Sequence, residues 1–182
     1  MHAHEIIAVG FALAALACDA PGIDVALSKR AGPPARELAL GQRMPDTAEA
    51  LIVGALEAPV TRRAPAFARL VKYERAGVVF KDEEGTSADR MMTPRLRDRM
   101  ARLATLVTDE WPDLSLRVTE AWDEAREHGA ASIHYEGRAA DITTSDMDAK
   151  KLGRLARLSV DAGFGWVYYE SPSHVHVSVA RE

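Results

Sequence analysis

The stretch Ser132-Ile133-His134-Tyr135-Glu136-Gly137-Arg138-Ala139-Ala140-Asp141 decides how this chain is read. Its pattern predicts two strands, over 132–135 and 138–143, folded about Glu136-Gly137. A turn at Gly137 would bring His134 and Asp141 near each other. Zinc accepts imidazole nitrogen and carboxylate oxygen, and a catalytic zinc site has three protein ligands and one open position. Farther along, Glu170 precedes His174-Val175-His176, and strand alternation puts His174 and His176 on one face. Histidines together with Asp141 would supply a ligand set. Glu170 would complete a hydrolytic arrangement, because a carboxylate beside the metal can take a proton from water and later deliver it to a leaving amine. Each residue taken alone also reads as an ordinary surface group. However, four of the six histidines, at 128, 134, 174 and 176, fall in the last third of the chain, where few exposed helices are expected.

Outward from this stretch, strands and helices mix without regular alternation. Val78-Val79-Phe80 reads as a buried strand, followed by the charged loop from Lys81 to Asp89. Thr93 and Pro94 occupy amino-cap and first helical positions, and Leu96, Met100, Leu103 and Val107 recur at helical spacing, so a helix should run on and end before Pro112. Leu114, Leu116 and Val118 alternate with Ser115, Arg117 and Thr119, the period of a half-buried strand leading to Glu120, Trp122 and Asp123. A helix starting at Ser145 or Asp146 should stop at Gly163, and strands over 166–170 and 174–179 should flank Ser171-Pro172-Ser173. A shorter helix is expected over 46–56, capped by Asp46. The class is α+β, with a mainly antiparallel sheet and helices packed on it.

At 182 residues with 47% apolar content, the chain is the size of one domain able to bury a core without disulfides, and a monomer is expected. Cys18 is the one cysteine, so any metal must be held by His, Asp and Glu. A formal charge of -4 with dispersed basic residues argues against nucleic acid as a partner. Residues 1–18 resemble an export signal: an apolar run from Ile6 to Ala17, too short to span a bilayer, closed by small residues and Cys18, although no Lys or Arg precedes it. Ala15 stands where a lipoprotein box carries Leu or Val, which leaves Cys18 a candidate lipid anchor; the alternative is an apolar helix packed on the domain with Cys18 a small core residue. Residues 19–37, with Pro-Gly and Gly-Pro-Pro, read as a flexible lead, and 38–182 as the folded domain.

Three runs carry a resemblance: Leu116 to Glu124, His134 to Asp146, and Ala162 to Ser171, joined upstream by Phe80 to Glu84 and Ala88-Asp89-Arg90. In these the chain closely resembles the hedgehog amino-terminal signalling domain, itself similar to zinc peptidases that cut D-Ala-D-Ala bonds. The resemblance implies a hedgehog/DD-peptidase-like fold, zinc on His134, Asp141 and His176, and Glu170, His174 and His128 as catalytic candidates beside it. It further implies calcium on Glu83, Glu84, Asp89, Glu120 and Asp123, several hard oxygens being what that ion prefers. One family aspartate falls at Ala125, where Glu124 could compensate. An alanine-rich composition and a lipoprotein-like start point to a bacterial member. The expected function is therefore an exported zinc metallopeptidase acting on peptidoglycan peptides, periplasmic, secreted or lipid-anchored. The competing reading is a noncatalytic secreted signalling module with structural zinc and a protein receptor as partner.

Overall fold

Leu116 and Val118 are fully buried while Arg117 and Thr119, which alternate with them, are only partly so. The computed structural model describes residues 36–83 and 85–182; the export-signal and Cys18 expectations, most of the flexible lead, and Glu84 lie outside these residues. The strands are β1 (Arg43–Met44), β2 (Val71–Lys72), β3 (Val78–Phe80), β4 (Met91–Met92), β5 (Leu116–Glu120), β6 (Ala139–Thr144), β7 (Trp166–Ser171) and β8 (His174–Ser178). The α-helices are α1 (Glu49–Val53), α2 (Pro94–Glu110) and α3 (Leu152–Ala162). Six strands form one sheet in the order β1-β7-β8-β6-β5-β3, and β2 pairs with β4 in a small second sheet. All pairings in the large sheet are antiparallel except β3 with β5, so the α+β reading with a mainly antiparallel sheet holds.

Side chains alternate across a strand, so each central strand contributes one apolar and one polar face. Leu116 and Val118, Ala140 and Ile142, Val167, and Val175 and Val177 join one core with the buried stripe of α2 and the inward side of α3. Leu96, Met100, Leu103 and Val107 supply that stripe and are all fully buried. Each contributes about 1.5–3 kcal/mol by leaving water. Thr93 Oγ1 accepts from Leu96 N at 3.4 Å, Pro94 needs no partner in the first turn, and the helix ends before Pro112 as expected. The opposite face of the sheet presents Arg117 and Thr119, Asp141 and Thr143, Glu170, and His174 and His176. Covering of one face by helices thus frees the other for polar chemistry.

Three local expectations are corrected. Residues 132–135 do not form a strand: Ile133–Glu136 is a short 3-10 turn, with Ser132 Oγ accepting from His134 N at 3.3 Å and Gly137 left-handed at φ 65°. The helix expected over 46–56 is only Glu49–Val53, because Asp46 pairs with Arg43 at 3.5 Å instead of capping. Asp146 and Asp148 shape a turn rather than open a helix, so a 3-10 segment, Ala149–Lys151, precedes α3, whose stop at Gly163 is as expected.

Candidate metal centre

Asp141 lies opposite His176 in the β6–β8 pairing, which sets both side chains on the polar face. His134 reaches the same point from the 3-10 turn, where the reversal at Gly137 aims it back over β6. His176 Nδ1 is 3.0 Å from Asp141 Oδ1, His134 Nε2 is 3.2 Å from His176 Nδ1, and His134 Nε2 is 3.5 Å from Asp141 Oδ1. Ligand atoms held about 2.0–2.1 Å from a tetrahedral zinc lie about 3.3 Å apart, so the three edges match the metal's own spacing. All three residues are buried.

The far ring nitrogens strengthen the fit. His134 Nδ1 contacts the Ala121 carbonyl at 2.7 Å, and His176 Nε2 contacts Glu49 Oε1 at 2.8 Å. A metal-binding imidazole commonly donates its second N–H to a carbonyl or carboxylate in this way, which fixes its tautomer. The electrostatics follow. Burial alone would raise the Asp141 carboxyl, yet the imidazoles of His128, His134 and His176 hold it well below its ordinary range. Burial alone would lower His176, yet Asp141 and Glu49 push it up to about 10.

His128, His174 and Glu170 stand around this triangle. His128 stacks on His134 with ring centroids 4.2 Å apart, its Nδ1 2.8 Å from Asp123 Oδ2 and its Nε2 3.7 Å from Asp141 Oδ2. Asp141 first, then Asp123, draw its pKa up to about 9 against the opposing effect of burial. His174 Nε2 is 3.8 Å from Asp141 Oδ2 and 3.5 Å from Glu170 Oε2. The structure therefore brings together the six residues singled out for zinc binding and catalysis. Beside them runs a groove of about 570 Å³ over the polar face, lined among others by Arg117, Thr119, Thr143, Met147, Pro172 and His174.

The acidic set is more dispersed in its contacts. Glu83 is exposed and pairs with Lys81 at 2.8 Å. Asp89 is buried, accepting from Asp82 N at 2.8 Å and Ala121 N at 3.3 Å, so it ties the preceding loop to the end of β5. Asp123 accepts from the backbone amides of Glu127 and His128 at 2.8 and 3.1 Å. Glu120, Asp123 and His128 offer donor atoms within 4.8 Å of one another. Glu124 is held by Arg62 with two hydrogen bonds, 2.5 and 2.9 Å, and Arg62 also donates to the Thr86 carbonyl at 2.9 Å.

Sequence reasoning missed Glu49. It sits on α1, 127 positions before His176, and nothing in the local pattern of Glu49-Ala50-Leu51-Ile52-Val53 marks it; only an acidic residue on a helix packed against β7 could have hinted at it. Arg138 was quoted without a role. Its guanidinium, fully buried, binds Glu136 and the carbonyls of Val53 and Val179, and so anchors the segment that carries Glu49.

Comparison with known proteins matches residues 20–178 to the family model described as the hedgehog amino-terminal signalling domain. The chain is 47% identical over 172 residues to the Indian hedgehog protein of Gallus gallus, covering 92% of this chain and 42% of that protein. It is 50% identical over 147 residues to the Tiggy-winkle hedgehog protein of Danio rerio, covering 80% and 35%, and 51% identical over 129 residues to the hedgehog protein of Drosophila hydei, covering 71% and 27%. The chain thus spans less than half the length of these relatives.

Proposed function

The chain belongs to the hedgehog amino-terminal signalling domain family, and we propose that it works as an exported signalling module of that kind, built on zinc and read by a protein receptor. The observation that carries this reading is identity of about half to hedgehog proteins across the segment that holds the metal triangle. It favours the signalling reading over the peptidoglycan hydrolase as the first assignment. Periplasmic residence, cell-wall peptide and the Cys18 lipid anchor gain no support from these relatives.

Zinc would be held by His134, Asp141 and His176, where it supplies a Lewis acid and a rigid cross-link between β6, β8 and the 3-10 turn. Glu49 and the Ala121 carbonyl orient the two imidazoles. Calcium would be held by Glu83, Glu84, Asp89, Glu120 and Asp123, whose carboxylates suit a hard ion. Arg62 holds the neighbouring Glu124 with two hydrogen bonds. A receptor segment would lie in the groove against Arg117, Thr143 and His174. Among the described residues no helix is long and apolar enough to cross a membrane.

A second reading keeps the metallopeptidase, on one observation: Glu170 and His174 stand 3.5 Å apart beside Asp141. In that reading Glu170 takes the proton of the attacking water, and His174 or His128 steadies the oxyanion. The test is one preparation in two assays: binding of the zinc-loaded protein to an immobilised hedgehog-receptor ectodomain, and release of soluble muropeptides from purified peptidoglycan. Zinc-dependent receptor binding without muropeptide release is expected. Release that requires both zinc and Glu170, with no receptor binding, overturns the signalling assignment and establishes the hydrolase.

A further inference from the structure

Asp141 has two carboxylate oxygens, and the zinc triangle uses one. Oδ1 is the oxygen nearest His134 and His176, while Oδ2 lies 3.8 Å from His174 Nε2 and 3.7 Å from His128 Nε2. His174 Nε2 lies in turn 3.5 Å from Glu170 Oε2, and Asp141, Glu170 and His174 each offer a donor atom within 4.8 Å of the other two. We propose that these three residues form a second divalent-metal site, with the Asp141 carboxylate bridging it to the zinc held by His134 and His176. The inference rests on the zinc reading of the first triangle.

Three features of the structure support it. The ring of His174 is already oriented: its Nδ1 lies 3.1 Å from Ser171 Oγ and 3.2 Å from Ser173 Oγ, so Nε2 is left pointing at the two carboxylates. This is the arrangement that fixes a metal-binding imidazole, with the outer nitrogen on an oxygen acceptor. The spacing is close to that of ligands around an ion: 3.5 and 3.8 Å exceed the about 3.3 Å of tetrahedral zinc by a few tenths, and small torsions of Glu170 and of His174, 45% and 26% exposed, would close the two edges. Finally, one imidazole with two carboxylates suits zinc, manganese or cobalt, and a carboxylate shared by ions about 3.5–4 Å apart is the usual bridge in two-metal sites. His128 approaches the same oxygen from the other flank, its Nε2 3.7 Å from Asp141 Oδ2 and its Nδ1 held by Asp123, so it borders the second site without joining Glu170 and His174.

The second site should be the weaker one. His174 and Glu170 are 26% and 45% exposed, against 1% for His134 and 11% for His176, so water competes for the ion and the side chains must give up freedom to bind it. Filling it would engage Glu170 and His174 at the mouth of the groove. Metal in excess of one equivalent would then act as a brake on whatever uses those two side chains, receptor segment or substrate.

The test is a titration of the full chain, freed of metal, with Zn²⁺ by calorimetry, repeated on Glu170→Gln, His174→Ala and His134→Ala, with folding checked by circular dichroism. Two equivalents are expected in the unmodified protein, the second at least tenfold weaker. Glu170→Gln and His174→Ala should each lose the second step and keep the first. A single equivalent at millimolar zinc, or a second step that survives both substitutions, overturns the second site while leaving the first intact. Loss of the tight step is expected in His134→Ala; a tight step unchanged there would instead overturn the zinc reading on which the proposal stands. In the cobalt-loaded protein, magnetic coupling between two ions would support the Asp141 bridge, and two uncoupled ions would overturn it.

Discussion

Glu49 and His176 meet at 2.8 Å although they lie at opposite ends of the described chain, and the consequence is a fixed imidazole. Burial would raise the Glu49 carboxyl, but its hydrogen bond to His176 and the charge of that ring hold it below its ordinary value, so it stays an acceptor for the outer N–H of His176. Glu49→Gln keeps the shape and removes the charge. It should weaken zinc binding about 10–100-fold without abolishing it, as loss of an orienting carboxylate commonly does, whereas His134→Ala should abolish tight binding. Competition against a chelator of known affinity measures both. An unchanged affinity in Glu49→Gln would mean that the helix carrying it is only a neighbour. The candidate donors at 134, 141 and 176 were marked in the sequence by the family resemblance, and zinc chemistry, which accepts few residue types, agrees with them. Glu49 was not, since one glutamate among many carries no local mark.

The 3-10 turn and the strand after it form the element on which the site hangs. A Cβ placed on Gly137 would sit 2.7 Å from Leu70 Cδ2 and 3.4 Å from Met92 Cα, at a φ of 65° that side chains rarely adopt. Gly137→Ala should therefore destabilise the protein by about 1–3 kcal/mol, read as a shifted denaturation midpoint, with weaker zinc binding because His134 precedes the reversal. Between β6 and α3, Asp146 accepts from Lys151 Nζ at 2.7 Å and Thr144 Oγ1 at 2.6 Å, which together lower its pKa to about 2. Its folded pKa lies below the unfolded value of about 3.9, so its stabilisation is present above pH 4 and is lost as pH falls towards 2. Asp146→Ala should cost about 1 kcal/mol at pH 7 and nothing further at pH 2, measured by urea denaturation at both values; the group is partly solvated, which keeps the effect small. Sequence reading found α2 and the strands 116–120, 166–171 and 174–178 because their periodicity is strong. It took 132–135 for a strand because four residues of mixed polarity do not distinguish a strand from a turn.

Across the whole molecule, Arg138 connects what the chain order separates. Its guanidinium bonds Glu136 at 2.7 Å, the Val53 carbonyl at 2.8 Å and the Val179 carbonyl at 3.1 Å, tying α1, the 3-10 turn and the end of β8 to one buried point. Arg138→Met would leave Glu136 buried with Arg181 as its one remaining cationic partner beside the Glu57 amide and should cost about 3–5 kcal/mol, seen in thermal or urea unfolding. A loss under 1 kcal/mol would show that Arg181 suffices. By itself, the sequence determined the α+β class, the long elements and the family, because periodicity, caps and extended motifs are written in neighbouring positions. Only the tertiary structure decided that His134, Asp141 and His176 close to within 3.5 Å, that Glu49 and Arg138 support them, and that Arg62 claims Glu124. Those contacts depend on strand register and on which sheet face the helices cover. Both are set by the packing of the whole core, where no local pattern reaches.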